Sequence, residues 1–520
     1  MSGTTGLPAG LGASGWDDVV VGAGSAGAVL AGRLAARPGR RVLLLEAGED
    51  LTGRGPGSPD EPVLSGANWE HTAYVGEAGE GARTYPYPVG RTVGGSSAVN
   101  GGLALRGLPA DYDGWAAAGN PRWAWERVLP YFTRLEADAD VKGPAHGDDG
   151  PLPVRRHAVA DFGPMASAFL TACRDGQGLP VRDDLNAPDA GVGVGPIPLN
   201  VRAGRRIATP FAYLEPRSAL PGLEVRDRCE VVRVLLRGDR AVGVEVRHQG
   251  AVHRVHADRV TLCAGAVGTP LVLQRSGIGP AGVLRRAGIT PVADLPGVGA
   301  GLVDHPLVAV WALPRPGACR PGDPMHEVLA RIATRPGPAD VNLTLVGNVS
   351  GLGVPVIGGL LRGRTAVSFH ASLLRPRSRG HVRVRDGSVD TPPEIALNLL
   401  ADPDDTERLM AGVRALWSVL GDGAVRGLLE RHLMWTEAMV LDEARLRRAV
   451  RSFVCPSWHP VGTARMGPAT DPGAVVDERL RPHGLRGLYV ADASVMPSMP
   501  SAPTHLTCVM IAERAAAWMP

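Results

Sequence analysis

The sequence predicts a mixed α/β (α+β) protein of two parts. One is built on a strand–turn–helix–strand unit near the start, and the other on an antiparallel sheet backed by helices. Three observations predict it. Val19, Val20 and Val21 form a β-branched run that ends in glycines, residues 28–36 follow with helical composition, and residues 41–45 form a second apolar strand ending at Glu46. Residues 223–259 alternate apolar and polar positions in three short runs, the pattern of an antiparallel meander, before the buried run 260–263. Beyond residue 306, strand-like stretches at 341–346, 366–374 and 380–385 give way to helical periodicity at 406–420 and 441–450.

The remaining stretches follow from composition. Residues 1–16, MSGTTGLPAGLGASGW, have neither the basic start nor the apolar run of a secretory signal, and read as a disordered leader on a cytoplasmic protein. Between 53 and 107 the chain is rich in Gly, Pro and Ser without periodicity, which predicts loops wrapped around something. Residues 111–136 read as two helices joined by a Gly-Asn-Pro turn.

At 520 residues the chain exceeds one ordinary core. With 44% hydrophobic residues and no apolar run near 18 residues, a membrane span is not expected. Fifty-five basic against 52 acidic residues leave a net charge of +3, too small to favour nucleic acid. Cys173, Cys229, Cys263, Cys319, Cys455 and Cys508 lack CxxC or CxxH spacing, so they read as buried thiols and no metal site is expected.

Gly22, Gly24 and Gly27 form GxGxxG between strand and helix, with Ser25 and Ala26 inside the turn, and Glu46 ends the next strand. The first glycine permits the turn, the second lets backbone N–H groups approach a pyrophosphate, and the third lets helix and strand pack closely. Glu46 is placed to accept from a ribose diol. These residues predict a dinucleotide and leave NAD and FAD open.

Further segments decide between them. GRTVGGSSAVNGGLALRG (90–107), AGAVGTPLVLQRSGIGP (264–280), GVGAGLVDHP (297–306), LLRPRSRGHVRV (373–384), WHPVGTARMG (458–467) and VADASVMPSMPSAPTHLTCVMIAERAA (490–516) resemble the glucose-methanol-choline (GMC) oxidoreductases, in that family's order. The resemblance covers residues 17–517. It implies a Rossmann-like FAD-binding domain from residues 17–150, 200–305 and 455–520, and a substrate domain with an antiparallel sheet backed by helices from 151–199 and 306–454.

By this resemblance Arg91, Val93, Gly94, Gly95, Ser96, Asn100 and Gly101 lie along the flavin and pyrophosphate, and Val231 meets the adenine. Ala264 and Gly265 approach the pyrophosphate. Asp492 and Ala493 lie at the flavin, with Asp492 able to hold a ribityl hydroxyl or a backbone N–H, and His505, Leu506 and Thr507 complete the set. Val99 stands where some relatives carry a histidine bonded to the flavin, so FAD is expected to be non-covalent. Pro503 replaces an amide found in many relatives.

Removing a hydride from an alcohol carbon requires that the hydroxyl proton leave at or before the transfer, and histidine has a suitable pKa for that task. His459 and His505 match the family's two catalytic positions. The reading makes His459 the base and His505 its hydrogen-bonding partner, with the roles exchangeable. His305 is read as structural, and Trp458 as pocket wall or core aromatic.

The implied reaction is FAD-dependent oxidation of a small-molecule alcohol to a carbonyl, with dioxygen or another electron acceptor, a peptide-derived redox carrier included. Weighed against it are a cyanohydrin-cleaving lyase with the same histidines, an NAD-dependent dehydrogenase and a light-driven decarboxylase.

Overall fold

The computed structural model describes residues 15–60, 66–320, 322–350, 358–361 and 363–520. The expected leader lies outside the described residues, except for Gly15 and Trp16; Trp16 opens the first strand.

A seven-stranded sheet carries the dinucleotide unit. Strands Leu223–Arg226, Val42–Leu45, Trp16–Val21 and Ala251–Leu262 lie side by side, and Leu488–Val490 pairs on the far side of Ala251–Leu262. All these pairings are parallel. The 12-residue strand Ala251–Leu262 does two jobs. Its first half pairs antiparallel with Arg240–His248, the centre of the expected meander, and its second half pairs with Trp16–Val21. Parallel strands need cover on both faces, which explains why Val19, Val20, Leu43, Leu44 and Val260 are wholly buried.

The second seven-stranded sheet is antiparallel throughout, with neighbours Leu429–Leu433, Pro306–Pro314, Thr365–Leu373, Val341–Ser350, Val328–Ile332 and Gly193–Pro196. Helix Pro403–Gly421 backs it. The helix starts earlier than the apolar periodicity predicts because Asp402 caps it, accepting from the Asp404 N–H, and Pro403 suits the first turn. Leu409, Met410, Val413 and Leu416 of its inner stripe are buried, each contributing about 1.5–3 kcal/mol. At Gly412 an added Cβ would come within 2.9 Å of Val341 Cγ1, so the helix lies close on the sheet.

One expectation needs correction. The stretch 53–107 is not all loop, because Asn68–Tyr74 and Thr84–Gly90 form an antiparallel hairpin. Pro86 and Pro88 masked it, and they are tolerated because Thr84–Gly90 is the edge strand. This hairpin also joins Glu394–Ala396, Gly380–Arg383 and Ala300–Leu302 in one five-stranded sheet, which therefore draws strands from both sides of the expected domain boundary.

Away from both large sheets, Glu136, Asp138 and His146 gather closely enough to resemble a metal site. Arginines close it instead. Arg106 bonds Glu136, while Arg156 bridges Asp138 at 2.9 Å and Asp184 at 2.6 Å. His146 lies 3.1 Å from Glu136 and 3.0 Å from Asp184. Three carboxylates thus meet two guanidiniums, and protonated His146 supplies the third positive charge. Its hydrogen bonds to Asp138, Asp184 and Glu136 push the imidazole up to about 10. His146→Gln should destabilise the protein by about 3 kcal/mol, since it leaves buried charge uncompensated. The raised pKa sets the sign: this stabilisation is complete below about pH 6.5 and fades as pH rises through 10. Denaturant melts of both proteins at pH 6 and pH 10.5 check it, and an equal gap at the two pH values would contradict it.

Candidate active site

The glycine turn shows why it needs glycine. Gly22 has φ of +94°, and a Cβ there would lie 2.7 Å from the Cys263 carbonyl oxygen. A Cβ on Gly27 would come within 1.8 Å of the Gly22 oxygen, at the point where helix Gly27–Ala35 meets the strand. Gly24 is different: its nearest neighbour would be Gly95 Cα at 3.8 Å, so it presents bare backbone to the cavity. Gly95 in turn, with φ of +50°, lets the second loop lean on the first. Glu46 accepts from the Ala23 and Gly48 N–H groups, both at 2.9 Å, and burial pushes its carboxyl up to about 7.

Asp492 fastens the third segment. Its carboxylate accepts from the Gly265 N–H at 2.9 Å, the Thr269 hydroxyl at 2.5 Å, and the N–H and hydroxyl of Ser494 at 2.8 and 2.5 Å. Of its two expected roles, it fills the one toward backbone.

One cavity of about 600 Å³ brings these segments together. Gly22, Gly24, Ser25, Ala26, Glu46, Gly95, Ser96, Asn100, Gly101, Val231, Ala264, Gly265, Asp492, Ala493, His459 and His505 all line it. The other expected residues stand behind it. Gly27 closes the helix–strand contact, Val93 and Leu506 are buried in the core, and Gly94 donates to the Ala23 carbonyl at 2.8 Å. Thr507 shares a 2.9 Å hydroxyl bond with Tyr112. Arg91 stacks 4.2 Å over the Trp69 ring and lines an adjoining groove.

The histidines depart from expectation. His305, not His505, is the hydrogen-bonding partner of His459: their Nδ1 atoms are 3.1 Å apart. His505 Nδ1 is instead 3.3 Å from Ser25 Oγ, and its buried Nε2 has no partner among the described residues. His305 is therefore the partner assigned in the sequence to His505. Residues of separate segments meet here only through the fold, and the Asp304-His305-Pro306 motif was the available signal.

The contacts of His305 fix the tautomers. His305 Nε2 lies 3.1 Å from both the Leu374 and Pro500 carbonyl oxygens, which only accept, so Nε2 carries the hydrogen. Burial holds His305 down to about 4 and His459 down to about 3, the latter helped by the neighbouring imidazole, so both are neutral at pH 7. A neutral His305 then has a bare Nδ1, which accepts from His459 Nδ1–H. That leaves His459 Nε2 without a hydrogen and able to receive one.

Asp304 anchors the pair. It accepts from the His459 backbone N–H at 2.9 Å and from the Tyr87 hydroxyl at 2.5 Å, and burial pushes its carboxyl up to about 7. Trp458, at φ +58° and 46% exposed, donates to the Pro86 carbonyl and lines the cavity.

The family model for the N-terminal part of the GMC oxidoreductases matches residues 16–307, and that for the C-terminal part matches residues 376–512. The chain is a GMC oxidoreductase. It is 36% identical to 5-(hydroxymethyl)furfural oxidase of Methylovorus sp. (strain MP688), over 96% of this chain and 98% of that one. It is 33% identical to oxygen-dependent choline dehydrogenase of Paraburkholderia xenovorans (strain LB400), over 97% and 94%. Among solved structures, pyridoxine 4-oxidase from Mesorbium loti superposes with a TM-score of 0.87 at 32% identity, covering 97% of this chain and 99% of that one.

As a GMC oxidoreductase the protein is an FAD-dependent enzyme that oxidises alcohols. These relatives lend no support to the lyase alternative. The cradle fits the dinucleotide: bare glycine backbone at Gly24 and Gly95, the turn residues Ser25 and Ala26 that lead into helix Gly27–Ala35, and His505, whose Nε2 has no partner among the described residues, border one cavity. Among the described residues of this GMC oxidoreductase, no helix is long and apolar enough to cross a membrane.

Proposed function

We propose that His459 takes the hydroxyl proton of the alcohol, at Nε2, and that His305 is the positioning residue that keeps that nitrogen bare. The observation that supports this is the chain from two carbonyls through His305 to His459 Nδ1. Bound FAD supplies the hydride acceptor. Gly22, Gly24, Ser25, Gly95, Ser96, Asn100 and Gly265 would hold its pyrophosphate and ring and Val231 its adenine, with Glu46 and Asp492 shaping the loops that do so. His505 fixes the glycine turn through Ser25. Val99 lines the cavity where a covalent link would need a nucleophile, so FAD is held non-covalently. The division into FAD-binding and substrate parts follows the two large sheets, with the five-stranded sheet between them. The enzyme works in the cytoplasm and passes electrons to dioxygen or another acceptor, which an oxygen electrode run against a dye-reduction assay separates.

His305→Phe tests the relay. It should slow flavin reduction by about 10–100-fold, because His459 Nδ1–H loses the acceptor that leaves Nε2 bare. His305→Gln, which keeps an acceptor, should recover part of the rate. Equal rates for His305→Phe and His305→Gln would make His305 merely structural.

A further inference from the structure

The cavity floor is one face of the antiparallel sheet. Asn342 and Thr344 on Val341–Ser350 stand opposite Ser372 and His370 on Thr365–Leu373, and all four line the cavity. Their alternate neighbours Val341, Leu343, Phe369 and Ala371 point into the core, as a pleated strand requires. His326 flanks this floor and abuts the loop at Gly101, where an added Cβ would lie 2.7 Å from its Nε2.

Two buried atoms on this floor have no partner among the described residues: Asn342 Oδ1 and His326 Nδ1. Buried polar atoms are bonded as a rule, so a pair of orphans bordering one cavity points to a ligand. Asn342 Oδ1 needs a donor.

Charge narrows the ligand. The acids that line the cavity are Glu46, Glu230 and Asp492, all on the dinucleotide side. Glu46 and Asp492 are occupied by backbone and hydroxyl donors, and Glu230 pairs with Arg247 at 2.6 Å. The lining arginine, Arg275, donates to the Val232 carbonyl. Burial keeps His326 and His370 uncharged near neutrality. The floor therefore offers hydrogen bonds and no counter-charge, which disfavours a cationic or carboxylate-bearing substrate.

We propose that the substrate is an uncharged diol: one hydroxyl lies at His459 Nε2 and is oxidised, while the second is seated on the floor and donates to Asn342 Oδ1. This rests on the reading of His459 as proton acceptor.

The test uses the holoenzyme and four benzyl alcohols that differ only at the para position: hydroxymethyl, methyl, carboxylate and aminomethyl. Anaerobic flavin bleaching should give the diol a kcat/KM about tenfold or more above the methyl compound, with both charged compounds lower still. Asn342→Leu should erase the diol's advantage, bringing the ratio of the two kcat/KM values from about tenfold to about one. Asn342→Asp should favour the aminomethyl compound, a gain that a damaged fold would not produce. Titration calorimetry on His459→Ala should show the same diol preference in Kd. Equal values for diol and methyl compound, or equal losses for both in Asn342→Leu, would overturn the diol while leaving alcohol oxidation intact. Absence of bleaching by all four would overturn both.

Discussion

Replacing His459 with alanine should slow reduction of the bound flavin by about 10²–10⁴-fold, the usual worth of a positioned base, while the purified protein should remain yellow. Both halves of that result follow from the geometry. The rate falls because His459 Nε2 is the nitrogen that the bond to His305 leaves free to receive a proton. The colour stays because the cradle is built elsewhere, from the turns at Gly22, Gly24 and Gly95 and the braces at Glu46 and Asp492. Rapid mixing with an alcohol in the absence of oxygen measures it. Reduction within about threefold of the native rate would remove His459 from the proton transfer.

Gly27→Ala should give the opposite pattern, a folded but colourless protein. The new Cβ would stand 1.8 Å from the Gly22 carbonyl oxygen, a backbone atom that cannot swing aside. Relief requires the helix to lift from the strand, and such overpacking costs up to about 3 kcal/mol or more. Because we place the dinucleotide on the turn between them, FAD affinity should fall by at least about 10²-fold. The ratio of flavin to protein absorbance reads this directly. Gly114→Ala is the control, since its Cβ meets nothing within 4 Å and it should stay yellow. Normal flavin content in Gly27→Ala would sink the argument from close packing.

Much of this architecture was legible before any coordinates, and for identifiable reasons. The βαβ unit shows through because its glycines and apolar strands carry local signals that tertiary context does not override. The helices at 403–421 and 443–453 were visible in their periodicity, although the Asp402 cap set a start that apolar residues alone could not. The hairpin at Asn68–Tyr74 and Thr84–Gly90 was hidden because two prolines read as loop unless the strand is known to lie at an edge. The histidine pairing was hidden for another reason. His305 and His459 are 154 residues apart, and motif matching favours the two positions nearest the C-terminus. Asn342 and His370 went unnoticed although the polar–apolar alternation of Asn342-Leu343-Thr344-Leu345 was available to be read.

That alternation has a consequence for how such an enzyme changes over generations. The side chains that line the cavity and those that glue the sheet to helix Pro403–Gly421 occupy opposite faces of the same two strands. Trading Asn342, Thr344, His370 or Ser372 for another residue leaves the glue untouched, and the imidazoles of His305 and His459 hang from different segments. Diet can drift without risking collapse, and a library randomised at those four positions should yield many well-behaved proteins with new tastes.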